Sequence, residues 1–307
     1  MRLCLSLLLA FTIVATASGQ TPSDEAPSAE DLAAVMEAMA AFEQSLNYQT
    51  GQVSLSGGMA TIDVPAAFRF LDAAGASRLL VDGWGNPPGA ADGVLGMLIP
   101  ADLSPMADEG WGVVVTFEET GYVDDADAAS LDFDDLLGQM QAGSESENAA
   151  RAEQGFETIR LVGWAEPPSY DSSGHKLYWA KELEFGGSPD HTLNYCIRFL
   201  GRRGVLELNA VSAMGQLGDI RSATGSLLTS VAFNEGHRYE DYVPGVDKAA
   251  TYGVAGLIAG AAAAKAGLFK GLIVAILAAK KLLIVGGIAA VAFLAKLFGG
   301  KKDEAAG

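Results

Sequence analysis

Thr192-Leu-Asn-Tyr-Cys-Ile-Arg-Phe-Leu200, the turn Gly201-Arg-Arg-Gly204 and Val205-Leu-Glu-Leu-Asn-Ala-Val211 decide the fold. Leu193, Tyr195, Ile197 and Phe199 alternate with Asn194 and Arg198, the period of a strand with one apolar and one polar face. This predicts an antiparallel hairpin with a buried side and a wetter side. Outward from it, residues 94–100, 111–118 and 176–183 read as further strands, and residues 52–64 as two short strands around Gly57-Gly58. Helical spacing marks residues 32–48, 132–152 and 214–231. Pro65 is read as opening another helix over 66–80, with Phe68, Leu71 and Leu79 as core positions. Strands joined by short loops, with helices between groups, predict an α+β fold with a mainly antiparallel sheet and packed helices.

Arg78-Leu-Leu-Val-Asp-Gly-Trp84 before Pro87-Pro88 is echoed by Arg160-Leu-Val-Gly-Trp164 before Pro167-Pro168. An internal duplication is one reading of the echo, and two unrelated turns the other. If the two echoes lined one surface, Trp84 and Trp164 would be its anchors.

The chain has 307 residues, 20 Lys+Arg against 38 Asp+Glu, and a formal charge of −18. Residues 20–247 hold 11 basic and 36 acidic side chains, net −25, while residues 248–307 hold eight lysines against Asp303 and Glu304, net +6. An acidic body excludes a nucleic-acid partner, which needs a basic footprint. A basic, apolar tail is the composition of a membrane anchor. Arg2, the apolar run 3–14 and Ala15-Thr-Ala17 form the pattern of a secretory signal over residues 1–19. Residues 20–31 are Pro, Ser and acid rich and read as a linker. With Cys4 in the signal, Cys196 is the one cysteine of the mature chain and reads as a small buried hydrophobe.

Past Tyr242-Val-Pro-Gly245 the composition shifts to three apolar runs, 249–264, 271–279 and 282–295, interrupted by lysines. The region 249–298 is therefore expected to be a helical transmembrane anchor, followed by a charged tail, 299–307. Three topologies compete: a single span near 282–298 with Lys296 snorkelling, a hairpin whose first span is 249–264 with Gly256 and Gly260 in a GxxxG pattern, and an interfacial helix with Lys270, Lys280, Lys281 and Lys296 on one broad face.

No HExxH, GxSxG, GxxxxGK[ST] or CxxC motif occurs, so no catalytic residue and no cofactor or metal is assigned. His175 and His191, each beside a strand, with Asp171 or Asp190, form one conceivable metal constellation; with Glu166 they would serve a dispersed-site hydrolase. The acidic run Asp124-Asp-Ala-Asp127 and Asp132-Phe-Asp-Asp135 lacks the spacing of a calcium loop and reads as helix-capping residues, with Asp125 or Ser130 at a helix start. Asn234-Glu-Gly-His-Arg-Tyr239 places Glu235, His237 and Arg238 at the junction with the tail. They are either a partner-contacting loop or a structural cap in which Glu235 pairs with Arg238.

Val94-Leu-Gly-Met-Leu-Ile-Pro100, Gly110-Trp-Gly-Val-Val-Val-Thr-Phe-Glu-Glu119 with Gly121-Tyr-Val123, Leu161-Val-Gly-Trp-Ala-Glu-Pro-Pro168, Lys176-Leu-Tyr-Trp-Ala-Lys-Glu182, Leu193-Asn-Tyr195, Leu200-Gly-Arg-Arg-Gly-Val-Leu-Glu-Leu-Asn-Ala210 and Phe233-Asn-Glu-Gly-His-Arg-Tyr239 resemble the membrane-anchored bacterial proteins of domain-of-unknown-function family 2167. The resemblance runs from about residue 52 to the C-terminus. It implies a bacterial envelope protein with a signal and a C-terminal anchor, and it supplies no activity. The expectation is an acidic exported domain, residues 32–242, held at the bacterial cell membrane by lipid contact of the tail. There it binds an envelope protein partner or senses a condition. A dispersed-site metal-dependent hydrolase and a membrane assembly or remodelling subunit are the alternatives.

Overall fold

The computed structural model describes residues 29–153 and 156–260. In chain order these form α1 (Ala29–Gln44), β1 (Tyr48–Gln49), β2 (Gly51–Leu55), β3 (Ala60–Val64), β4 (Phe68–Asp72), α2 (Ala73–Arg78), β5 (Val94–Pro100), β6 (Val113–Glu118), α3 (Phe133–Glu153), β7 (Ile159–Asp171), β8 (Lys176–Phe185), β9 (Thr192–Leu200), β10 (Val205–Ala213), α4 (Leu217–Ser230), β11 (Val231–Phe233) and α5 (Val254–Ala259). Eight strands make one antiparallel sheet in the order β1-β4-β5-β6-β10-β9-β8-β7, and β11-β3-β2 make a second, smaller one.

The β9–β10 hairpin lies within the large sheet. Gly201 N–H donates to Gly204 O at 2.8 Å and closes the turn. That closure sets Leu200 opposite Val205, and so Arg198 opposite Glu207 and Cys196 opposite Asn209. Gly204 is required there because a β-carbon would run into the carbonyl of Glu118 and the ring of Phe117 on β6.

Both faces of the sheet are covered. Leu193, Tyr195, Ile197 and Phe199 of β9, with Leu206, Leu208 and Ala210 of β10, share a cluster with Ile62 of the small sheet and with Ile220 and Leu227 of α4. On the opposite face, Leu79, Leu80 and Trp84 cover Met97, Ile99 and Val114. Beside them, Val254, Leu257 and Ile258 of α5 pack in one cluster with Trp179, Cys196 and Leu200.

Three expectations are corrected. Residues 66–80 do not form one helix. Phe68-Arg-Phe-Leu71 has strand alternation and pairs as β4 with β5. The helix begins where the Asp72 carboxylate accepts the N–H of Gly75 at 2.9 Å, and it runs into a π-helical turn, Leu79–Gly83. The echo is not a structural repeat. Its first copy is this helix and π turn; its second is β7, whose register shifts three times between Leu161 and Ser169. Pro167 and Pro168 of this edge strand fall in the register shift between Glu166 and Ser169, where a missing donor costs no ladder bond. The wetter face is not wet either: Asn194, Arg198, Glu207 and Asn209 are all buried.

The folded core also runs past residue 242. Ala249 bridges Tyr122 in parallel, and the Asp127 carboxylate accepts the N–H groups of Val254 and Ala255 at 2.9 and 3.0 Å, capping α5. Gly260 ends α5 in the left-handed conformation, φ 83°, as helix C-termini commonly do. Residues 249–260, expected to open the anchor, are thus part of the domain, and the hairpin's first span of 249–264 begins inside it. Among the described residues no helix is long and apolar enough to cross a membrane. The expected signal 1–19, most of the linker, the anchor from 261 to 298 and the tail 299–307 lie outside the described residues.

Two glycine substitutions test the close approach at the hairpin. Gly204→Ala is expected to cost about 1–3 kcal/mol by overpacking. Gly138→Ala, in α3 with open space around it, is expected to gain about 1 kcal/mol by helix propensity. Urea unfolding of both variants reads the two signs.

Candidate functional site: the aromatic end of the sheet

The β7–β8 turn, the β9–β10 turn, the segment after β6 and residues 234–250 meet at one end of the large sheet. His175 closes the β7–β8 turn in the left-handed region, φ 50°, a conformation histidine tolerates better than most residues. Its carbonyl accepts the N–H of Leu200 at 2.9 Å. Its ring stacks on Tyr239 at 3.9 Å, Tyr239 stacks on Tyr122 at 4.5 Å, and Tyr122 stacks on Tyr242 at 3.9 Å between centroids. Stacked rings of this kind contribute about 0.5–1.5 kcal/mol each beyond burial.

Asp125 faces this ladder. Its Oδ2 accepts from the Tyr170 hydroxyl at 2.5 Å and lies 3.2 Å from His175 Nδ1. Burial alone would raise the Asp125 carboxyl, but hydrogen bonds from Tyr170 and His175 prevail and hold it below the usual carboxylate range. Burial and the adjacent carboxylate push the Tyr170 hydroxyl well above its ordinary value, so it stays a donor. The result is a half-buried rack of four rings beside an ionised carboxylate.

The loop singled out by sequence lies at this end, pinned through its backbone. Asn234 Nδ2 donates to Gly58 O at 2.8 Å, and Asp241 Oδ2 accepts the N–H groups of Gly236 and Arg238 at 2.8 and 3.0 Å. Arg202 donates its backbone N–H to His237 O at 3.0 Å and its side chain to both oxygens of Asp247, at 2.7 and 3.1 Å. Glu235 and Arg238 are exposed, His237 partly buried. The expected Glu235–Arg238 ion pair does not form; Asp241 and the Arg202–Asp247 pair do the holding.

Behind this end, on the covered face, Arg198 Nη2 lies 2.6 Å from Glu207 Oε2, and Nη1 lies 3.7 Å from Glu118 Oε2. The guanidinium sits over the Trp179 ring at 5.3 Å. Both Glu118 oxygens, Arg198 Nε and Nη1 and the Trp179 indole N–H lack a hydrogen-bond partner. Burial raises the Glu118 carboxyl despite the pull of Arg198. Beside the pair, Asn194 Nδ2 donates to Asn209 Oδ1 at 2.7 Å. Burial pushes the Cys196 thiol up to about 12, so at neutral pH it remains a protonated, unreactive thiol.

The remaining candidates are dispersed. Trp84 is buried and donates its indole N–H to Pro105 O at 2.9 Å. Trp164 lies across the sheet, donating to Phe133 O at 3.1 Å, so the two do not line one surface. His191 contacts Glu182 at 2.5 Å and Glu184 at 3.4 Å at the far end of β8 from His175. At 3.3 Å per residue this places the two histidines roughly 20 Å apart. Glu166 accepts from Tyr195 and Arg221 instead. Asp171 receives Ser173. Among the described residues no group of three or more His, Cys, Asp or Glu side chains is placed to hold a metal ion. The acidic run is divided among structural tasks: Asp132 caps α3, accepting the N–H groups of Asp134 and Asp135, Asp127 caps α5, and Asp125 serves the ladder.

A family described as "Protein of unknown function (DUF2167)" matches residues 47–292. The chain belongs to this family. The DUF2167 match covers the folded domain from β1 onward, without α1, and runs on into the apolar region of the sequence beyond α5. No curated protein matches the chain. Its fold is similar at low level to the solution structure of cyanobacterial PsbP (CyanoP) from Synechocystis sp. PCC 6803, with 12% identity, 62% of this chain and 94% of that one covered, and a TM-score of 0.33. The Ran-binding protein Mog1p of Saccharomyces cerevisiae gives 11% identity, 62% and 96% coverage, and a TM-score of 0.33. Neither likeness carries a function to this DUF2167 chain.

The buried pair yields two expectations. Arg198→Met strands two carboxylates and is expected to cost about 3–5 kcal/mol, much of it recovered in Arg198→Met/Glu207→Leu; urea unfolding measures both. Glu118 has a raised folded pKa, so its contribution to stability is present at low pH and lost as pH rises through that value. Glu118→Gln is therefore expected to match the parent near pH 4 and to exceed it as pH rises above the ordinary carboxylate range, the difference levelling off once pH passes the raised value.

Proposed function

We propose that this DUF2167 protein is a membrane-tethered envelope module of bacteria whose exported domain binds a partner or senses a condition. The observation that carries this reading is the junction. Residues 249–260 are sewn into the core as α5, and the next 38 residues, 261–298, are apolar with five lysines. A domain whose core includes the segment leading into such a stretch is held close to whatever that stretch enters. The family match, which takes in the domain and the apolar run together up to residue 292, agrees. So do the charge partition and the signal-like N-terminus.

Within the module, the aromatic end is the recognition surface. Its half-buried ladder, the ionised Asp125 and the pinned 234–239 loop gather four chain segments at the same end as the junction. The partner recognised there would present an aromatic or cationic group. The hydrolase alternative loses its geometric basis, since His175 and His191 stand at opposite ends of β8.

Fractionation of cells producing the full chain tests the tether. The full chain is expected in the membrane fraction and resistant to carbonate, while a chain ending after Gly260 is released as a folded soluble protein. Full-length protein found in the soluble fraction, or a truncated chain still held in the membrane, contradicts the reading.

A further inference from the structure

In the turn 242–246 (Tyr-Val-Pro-Gly-Val), Tyr242 ends the aromatic ladder and the four residues after it are exposed. Val243 is 43% and Val246 76% exposed, and the other exposed large hydrophobics among the described residues, Met36 and Phe156, lie on separate elements. A single exposed valine needs no explanation. Two on one rigid turn are different, because this turn is held in shape from both sides. Val246 N–H and Asp247 N–H both donate to Val243 O, at 3.1 and 3.0 Å. The Asp247 carboxylate accepts the N–H of Val243 at 2.8 Å and is itself gripped by Arg202 through two hydrogen bonds. The valines are thus presented in a fixed conformation, with the ordering entropy already spent within the fold.

The surroundings suit one kind of surface. The turn carries no charge of its own; Asp247 after it is compensated by Arg202, and before it Asp241 is spent on the backbone N–H groups of Gly236 and Arg238 while Glu240 is exposed. Lys248 follows, exposed, and Tyr242 sits at the base of the turn as the outer ring of the tyrosine ladder. Tyrosine beside apolar tips and a lysine is the composition that settles at the boundary between headgroups and acyl chains. The chain then runs through α5, whose six residues rise about 9 Å, to Gly260, where the apolar stretch begins in the sequence. A tether starting there keeps the turn within reach of the lipid the tether enters.

We propose that the turn 242–246 is a membrane-surface contact: Val243 and Val246 insert at the lipid headgroup boundary and Tyr242 seats at the interface, fixing how the domain stands on the bilayer. This rests on the tether reading above. The net charge of −25 over residues 20–247 keeps the rest of the body off an anionic surface, so contact is confined to this patch and the lysines that follow it.

Site-directed spin labelling of the full chain tests it. A nitroxide is placed at position 246 (Val246→Cys) or, for comparison, at position 36 (Met36→Cys), each with Cys4→Ser; Cys196 is buried and does not react. The protein is reconstituted in mixed phosphatidylethanolamine–phosphatidylglycerol vesicles, and power saturation compares access by oxygen with access by a water-soluble nickel chelate. The expected result is a several-fold higher oxygen-to-nickel ratio at 246 than at 36. Equal ratios in protein that floats with the vesicles overturn the contact and leave the tether standing. A label at 246 shielded from oxygen and nickel alike in the vesicles overturns it in favour of a protein partner or a second copy. Protein that fails to float with the vesicles overturns tether and contact together.

Discussion

Taking the Arg198 guanidinium out of water costs several kcal/mol unless a carboxylate pairs with it. Glu207, directly opposite it across the hairpin, supplies that carboxylate at 2.6 Å, and Glu118 on β6 stands 3.7 Å off. Much later in the chain, Tyr252 comes close to both Arg198 and Glu118, and α5 packs in one cluster with Trp179, over whose ring the guanidinium sits. The pair therefore couples the central strands to the segment that leads into the apolar region. A sheet whose polar face met water would need no such helix, and residues 249–260 would then have no reason to fold back onto it.

Much of this could be read from residues 192–211. The alternation defined the strand, and Gly201 and Gly204 defined the turn; once Leu200 faces Val205, counting back places Arg198 opposite Glu207. The expectation failed on what covers the polar face. Alternation separates two sets of side chains but does not say that the polar set meets solvent, and the element that buries it lies more than 40 residues further on. Residues 249–260 were misassigned for the same reason. An Ala- and Gly-rich apolar run satisfies a membrane and a protein core equally, and only the Asp127 cap and the contacts of Val254, Leu257 and Ile258 separate the two. Residues 66–80 show a different limit. Five residues of strand followed by two turns of helix average to a helical pattern over a long window, and the change of period at Asp72 is visible only as a capping residue.

The aromatic end was half legible. The 234–239 loop was singled out for its mixture of Glu, His, Arg and Tyr, yet those side chains matter less than the backbone pins beneath them. Asp125, Tyr170, His175, Tyr122 and Tyr242 come from separate segments, so no spacing in the sequence could have joined them. The dense acids of 124–135 looked like one feature and proved to be three, two helix caps and one partner for a tyrosine and a histidine. Short-range capping chemistry explains why they crowd together, since α3 starts nearby and α5 docks its own start beside it.

The claim on which the rest turns is that α5 belongs to the core and seals the buried pair. Native-state hydrogen exchange on the full chain addresses it directly, because core amides exchange through global opening and attached but unpacked segments exchange locally. The account predicts that the amides near the C-terminal end of α5, those bonded within the helix, exchange as slowly as the paired amides of β9 and β10. Exchange there that is orders of magnitude faster than in those strands would show a segment resting on the domain rather than belonging to it, and would contradict the account.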